Sequence, residues 1–202
     1  MVDYGGKPIP PRIILFSSEG TSPPVYLSST ELTHISSTGT SEPNTYAPWC
    51  AMNTLNGLLY TSEFDANFLY VYKLELVSGK LILDFLGYFY LLHENGSKLT
   101  VNRIQGGVIS RNTGHLYLVS DKKDGGIIGF DMITGRRAFH KVVEYDPDEK
   151  FLWEDEPEEL EGIDLINLPS GQIHLIMLDN DGNDDDVYFK HYKVESGTED
   201  LV

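Results

Sequence analysis

Apolar residues along this chain come in short runs, not in helical stripes. Ile13-Ile14-Leu15-Phe16, Leu69-Tyr70-Val71-Tyr72, Leu81-Ile82-Leu83, Leu116-Tyr117-Leu118-Val119, Ile127-Ile128-Gly129-Phe130 and Ile173-His174-Leu175-Ile176-Met177 are rich in β-branched and aromatic residues. Gly, Asn, Asp or Ser bound them, as expected of strands. Residues 187–194 add a last run with polar residues alternating near its end. No window of about a dozen residues carries a 3.6-residue apolar period, and the candidate at 156–165 is cut by Pro157 and Gly162. The pattern predicts an all-β protein.

The runs also repeat. A Gly opens the same kind of strand three times, at Gly57-Leu58-Leu59-Tyr60, Gly114-His115-Leu116-Tyr117 and Gly171-Gln172-Ile173-His174, with 57 residues between successive glycines. Each follows a short apolar segment (Trp49-Cys50-Ala51-Met52, Gly107-Val108-Ile109, Gly162-Ile163-Asp164-Leu165-Ile166) and precedes a polar tip and a further strand. The middle unit continues through Asp131-Met132-Ile133-Thr134-Gly135-Arg136, a strand end and a Gly turn. Such a period marks stacked or radially arranged units. Four antiparallel strands on short turns make one blade of a β-propeller, and the long period calls for extended loops.

The turn-Gly-x-Leu-Tyr strand, its Asp tip and the following Gly-Ile-x-x-Phe-Asp-x-x-Thr-Gly, with Leu160-Glu161-Gly162-Ile163 opening a unit, resemble blades of calcium-associated propellers over about residues 47–194. These include gluconolactonase-like, phytase-like and low-density-lipoprotein-receptor-type (YWTD) propellers. The resemblance implies blades around a channel, with calcium among the ligands to consider. Units near 12–46, 47–103, 104–160 and 161–202 then make a single domain over 1–202. That is about three and a half to four blades, where closure takes about four to eight. Ile13–Phe16 and Val25-Tyr26-Leu27 read as the second and third strands of a blade lacking its first. The chain is expected to be the C-terminal part of a larger propeller or, less favoured, a four-bladed ring with an incomplete first blade. An open edge makes self-association that completes the ring a further expectation.

Charge narrows the partners. The net charge of −16 is concentrated: nine acids lie in 146–161 and five in 179–186, and outside these runs 17 acids face 14 bases. Nucleic acid is not expected as a partner, because phosphate contacts need clustered Lys and Arg. No apolar run of membrane-spanning length occurs, so no membrane partner is expected either. The acidic runs are expected to be solvated surface loops. Residues 1–20 carry no apolar core of signal-peptide length. Asn95-Gly96-Ser97 fits the glycan acceptor triplet, and the compartment is left open with a lean toward the extracellular side.

Positions that open or tip blades can converge on a channel. By that rule the candidates are Glu19, Trp49, Glu63, Asp65, Gln105, Asp121, Glu161, Asp179 and Asn180. Glu19, Glu63, Asp121, Glu161 and Asp179 are the candidate metal ligands, since Ca²⁺ takes about six to eight hard oxygens. Trp49, Gln105 and Trp153 are the candidate ligand-binding residues. Asp and Asn at such sites also cap turns by bonding their own backbone. The run from Asp179 fails as an EF-hand, for its sixth and twelfth positions are Asp184 and Lys190.

Other chemistries find little support. The six His show no zinc spacing, no Gly-x-Ser-x-Gly elbow occurs, and Gln105-Gly106-Gly107 lacks the Lys and helix of a phosphate loop. Cys50, the single cysteine, is expected to be a buried core thiol. Tyr88-Phe89-Tyr90 are placed near a loop, where aromatics stack on sugars or anchor a partner. The preferred reading is a non-catalytic propeller module binding a small molecule, carbohydrate or protein at the channel mouth and acidic loops. The alternative is a Ca²⁺-dependent hydrolase of lactones or phosphate esters.

Overall fold

The computed structural model of the chain describes residues 10–17, 23–122, 125–142, 159–168, 173–180 and 187–194, and all of its regular structure is β. Strands β1 (Arg12–Ser17) and β2 (Val25–Glu31) form one antiparallel hairpin, and β3 (Thr33–Ile35) and β4 (Ser41–Pro43) a second. A four-stranded antiparallel sheet follows, in the order β5 (Cys50–Asn53), β6 (Leu58–Thr61), β7 (Phe68–Val77), β8 (Lys80–Tyr90). The second sheet repeats that order with β9 (Ile104–Ile109), β10 (His115–Ser120), β11 (Gly126–Asp131) and β12 (Arg137–Lys141). In the third, β13 (Glu159–Asn167), β14 (Ile173–Asn180) and β15 (Val187–Val194) lie side by side. The first strand of the second sheet, β9, packs beside β5 on one side and β13 on the other. Successive antiparallel sheets meeting at their first strands give the fold its propeller-like character.

Two matched turns set the repeat. Gly57 N–H donates to Asn53 O at 2.8 Å and Gly114 N–H to Ser110 O at 2.9 Å, with φ of +70° and +71°. Asn53 Oδ1 accepts from Leu55 N and Ser110 Oγ from Asn112 N, so the same corner is tied down by two different side chains. The third glycine of the series, Gly171, lies outside the described residues.

Sheet packing explains the composition of the runs. Leu116, Leu118 and Phe130 face the first sheet and join Trp49, Ala51, Tyr60 and Leu69 in one core. Tyr117, Val119 and Ile127 face the third sheet with Leu160 and Val194. The middle sheet is thus buried on both faces, which is why β10 reads as an unbroken apolar run and not as an alternation. At the crossing of first strands, side-chain volume is excluded. A Cβ on Gly106 would lie 2.8 Å from Gly162 Cα, and one on Gly107 would lie 2.6 Å from the Trp49 ring. The outer rim is joined too: Leu92 N–H donates to Gly135 O at 2.9 Å, and Arg137 N–H to Leu92 O at 2.8 Å.

Several expectations are corrected. Cys50 is exposed, because β5 alternates and turns Ala51 and Asn53 inward while Cys50 and Met52 face out. Tyr88-Phe89-Tyr90 are the last three residues of β8, opposite Tyr70, Leu69 and Phe68, so they stand near a loop but as part of the sheet. The rings of Phe68, Tyr70, Tyr72, Phe85, Tyr88 and Tyr90 share one face of the first sheet and pack edge to face. The β3–β4 hairpin covers part of that face, with His34 at 5.0 Å from the Tyr70 ring. The ends of the acidic runs are strand as well: Glu159 pairs with Asn180, Leu160 with Asp179 and Glu161 with Leu178. Residues 143–158 and 181–186 lie outside the described residues.

Candidate functional site

The segment entering β9 passes beneath the tip of the first sheet and is stitched to it. Ala66 and Val101 exchange both backbone bonds, at 2.9 and 2.8 Å, and Ile104 N–H donates to Phe64 O at 2.7 Å. Between them stands Arg103, at φ +50°, a left-handed backbone that non-glycine residues rarely hold. Its N–H is captured by Asp65 Oδ1 at 2.8 Å, so the carboxylate at the first sheet's tip fixes the corner from which Arg103 projects.

Asp121, at the tip after β10, receives that arginine. Its side chain is 1% exposed and that of Arg103 39%. Arg103 Nη2 donates to Asp121 Oδ2 at 2.9 Å, while Nε lies 2.8 Å from Oδ1 as an ion-pair contact that leaves this buried oxygen without a hydrogen bond among the described residues. Gln105, near the start of β9, adds Nε2 to Oδ2 at 2.7 Å. A carboxylate this buried needs compensation, and here a guanidinium and an amide supply it. The half-exposed Arg103 side chain and the partly buried Gln105 both reach Asp121 at the loop end of the second sheet.

Glu63 faces elsewhere. Its two oxygens accept from Thr45 N–H at 3.2 Å and Tyr46 N–H at 2.8 Å, closing the loop that leads into β5, and Tyr70 OH reaches Oε1 at 3.4 Å. Burial first, then the Glu63 charge and neighbouring phenols, push the Tyr70 hydroxyl up from its ordinary range. On the Gly57-to-Gly114 spacing Glu63 corresponds to Ser120 and Phe64 to Asp121. The two carboxylates are therefore one position out of phase, and each is held by a different set of partners.

Trp49 is a core residue, its indole N–H donating to Ser62 Oγ at 3.0 Å and its ring lying on Gly107. Glu161 and Asp179 stand in strands, and of their side chains nothing is described; Glu19 and Trp153 lie outside the described residues. Among the described residues no three His, Cys, Asp or Glu side chains gather to hold a metal ion. Among them, too, no helix is long and apolar enough to cross a membrane. Sequence reasoning singles out Gln105 and Asp121, which do meet, but misses Arg103, because a search for cation ligands passes over a base two residues before the blade-opening Gln.

The chain is an all-β protein of propeller-like architecture. No protein-family model matches it, and no curated protein does. Among solved structures it is similar to a periplasmic gluconolactonase from Pseudomonas aeruginosa, at 13% identity and a TM-score of 0.49, over 90% of this chain and 49% of that one. Hydrazine synthase from Kuenenia stuttgartiensis matches at 10% identity and a TM-score of 0.34, over 79% of this chain and 55% of that one. The chain thus spans about half the length of the solved structures it matches.

Proposed function

We propose that the chain is a propeller-type binding module that takes a small polar ligand, of the sugar or sugar-acid class, at the mouth formed by Arg103 and Gln105. The observation that carries this reading is the pairing of Asp121. The Arg103 guanidinium supplies positive charge beside that carboxylate, which supports reading the pair as a positioned hydrogen-bonding device. Planar guanidinium and amide groups fixed from behind suit hydroxyl or carboxylate oxygens.

The test is calorimetry of the full chain against gluconate, galacturonate and neutral mono- and disaccharides, with Gln105→Ala and Arg103→Gln alongside. Binding by a member of the panel, weakened about tenfold or more in either variant, supports the module. Binding that ignores both substitutions, or none across the panel, removes it. A melting temperature raised by Ca²⁺, together with Ca²⁺-dependent turnover of a lactone or phosphate ester, would replace this reading with the hydrolase.

A further inference from the structure

We propose that Asn95 is an N-glycan acceptor, taking an oligosaccharide from a polyprenyl-diphosphate donor. Asn95-Gly96-Ser97 is the one Asn-x-Ser/Thr triplet in the sequence, and Gly at its middle position leaves it competent. It forms the tip of an exposed turn after β8. His93 N–H donates to Ser97 O at 2.8 Å and Gly96 N–H to His93 O at 2.9 Å. Every one of these bonds spans four residues or fewer, so the turn can form in a nascent chain before any sheet exists.

Inside the turn the carboxamide is oriented. Ser97 N–H donates to Asn95 Oδ1 at 2.9 Å and Ser97 Oγ at 2.7 Å. A backbone N–H only donates, so the end of the amide facing it must be the oxygen. The nitrogen is therefore the end presented outward, on an exposed residue. Two donors on the oxygen draw charge from the amide and make its N–H more acidic, which eases loss of the proton an amide must shed to act as nucleophile. In the transfer, Nδ2 forms a bond to the anomeric carbon, the bond from that carbon to the diphosphate breaks, the Nδ2 proton passes to a base of the transferase, and the polyprenyl diphosphate leaves.

The surroundings also admit a bulky group. The turn is anchored by its flank: Arg137 forks onto the Glu94 carboxylate at 2.7 and 3.1 Å, and Arg136 Nη1 donates to Glu94 O at 3.2 Å. Those contacts join the ends of the first and second sheets' outer strands, whereas Arg103 and Gln105 lie where the first strand of the second sheet begins. A glycan at Asn95 would stand beside the outer edges, where Leu86 and Tyr90 are exposed, and shield strands that could otherwise pair with another chain.

The experiment is cell-free translation of the full chain behind an added signal peptide, with endoplasmic-reticulum microsomes and a glycosylated control protein. The parent and Ser97→Thr are expected to gain one mobility shift, removed by the amidase that cleaves Asn-linked glycans; Asn95→Gln, Ser97→Ala and Gly96→Pro are expected to gain none. An unshifted parent beside a shifted control overturns the proposal, as does a shift that survives Asn95→Gln. Acceptance requires no folded product, so a destabilised variant still reports.

Discussion

The ring of Trp49 lies so close over Gly107 that a Cβ there would sit 2.6 Å from both Cε3 and Cζ3 and 2.9 Å from Leu118 Cδ2. Trp49 belongs to the strand entry of one sheet and Gly107 to the first strand of the next, so the contact fixes how near the two sheets stand. Gly107→Ala should lower stability by about 1–3 kcal/mol, the usual range for overpacking a closed core. Gly106→Ala should cost at least as much, because its wall is the backbone of Gly162 and Ile163, which has no rotamer to yield. Urea midpoints of the two variants check this; parent-like stability in either would show that the sheets can slide apart freely.

The corners at Gly57 and Gly114 should answer alike. At neither would an added Cβ have a heavy atom within 4 Å, so a methyl meets open space and the cost of Ala is purely that of a left-handed backbone. That is about 1–2 kcal/mol at each site, and Asn should cost less than Ala at both. Denaturation curves of the four single variants give the comparison. Costs that differ severalfold would mean that the two turns are not equivalent parts of a repeat.

Alkaline pH should unfold the protein through its buried phenols. Burial pushes Tyr117 up to about 12, against an opposing bond with Thr113, whereas in the unfolded chain it returns to 10.0. Above that unfolded value the unfolded chain releases the proton and the folded one keeps it, so stability is complete below pH 10 and falls as pH rises toward about 12. Each unit of difference is worth about 1.4 kcal/mol. Tyr70 and Tyr72 are shifted in the same direction, chiefly by burial. Tyrosinate absorbance should therefore rise together with loss of β circular dichroism in the parent, and Tyr117→Phe should flatten the fall. Phenols that titrate near their free value while the fold persists would refute the linkage.

Much of this architecture is legible in the sequence because it depends on local rules. A left-handed corner calls for Gly, as at Gly57 and Gly114, and a strand buried on both faces loses its alternation, as in β10. What escapes is decided by neighbours. β3 and β4 consist largely of Ser, Thr, Glu and Pro, and they exist as a hairpin because they lie over the aromatic face of the first sheet. Cys50 looks like a core residue in an apolar segment, and only the pairing of β5 with β6 shows which way it points. The site is half legible: Asp121 and Gln105 stand out for their phase, but their meaning turns on Arg103, whose reach depends on an unusual backbone corner held by Asp65.

The rim bonds of Leu92 carry a mechanical consequence. By giving its N–H to Gly135 and accepting from Arg137, this one residue ties the exit of one sheet to the last turn of its neighbour, with two amides sharing the load. Neither sheet can fray outward from its final strand without first breaking that clasp. Deuterium uptake at Leu92 and Arg137 would therefore report the parting of two repeats as one event, and the repeats would unravel as a pair, not as independent leaves.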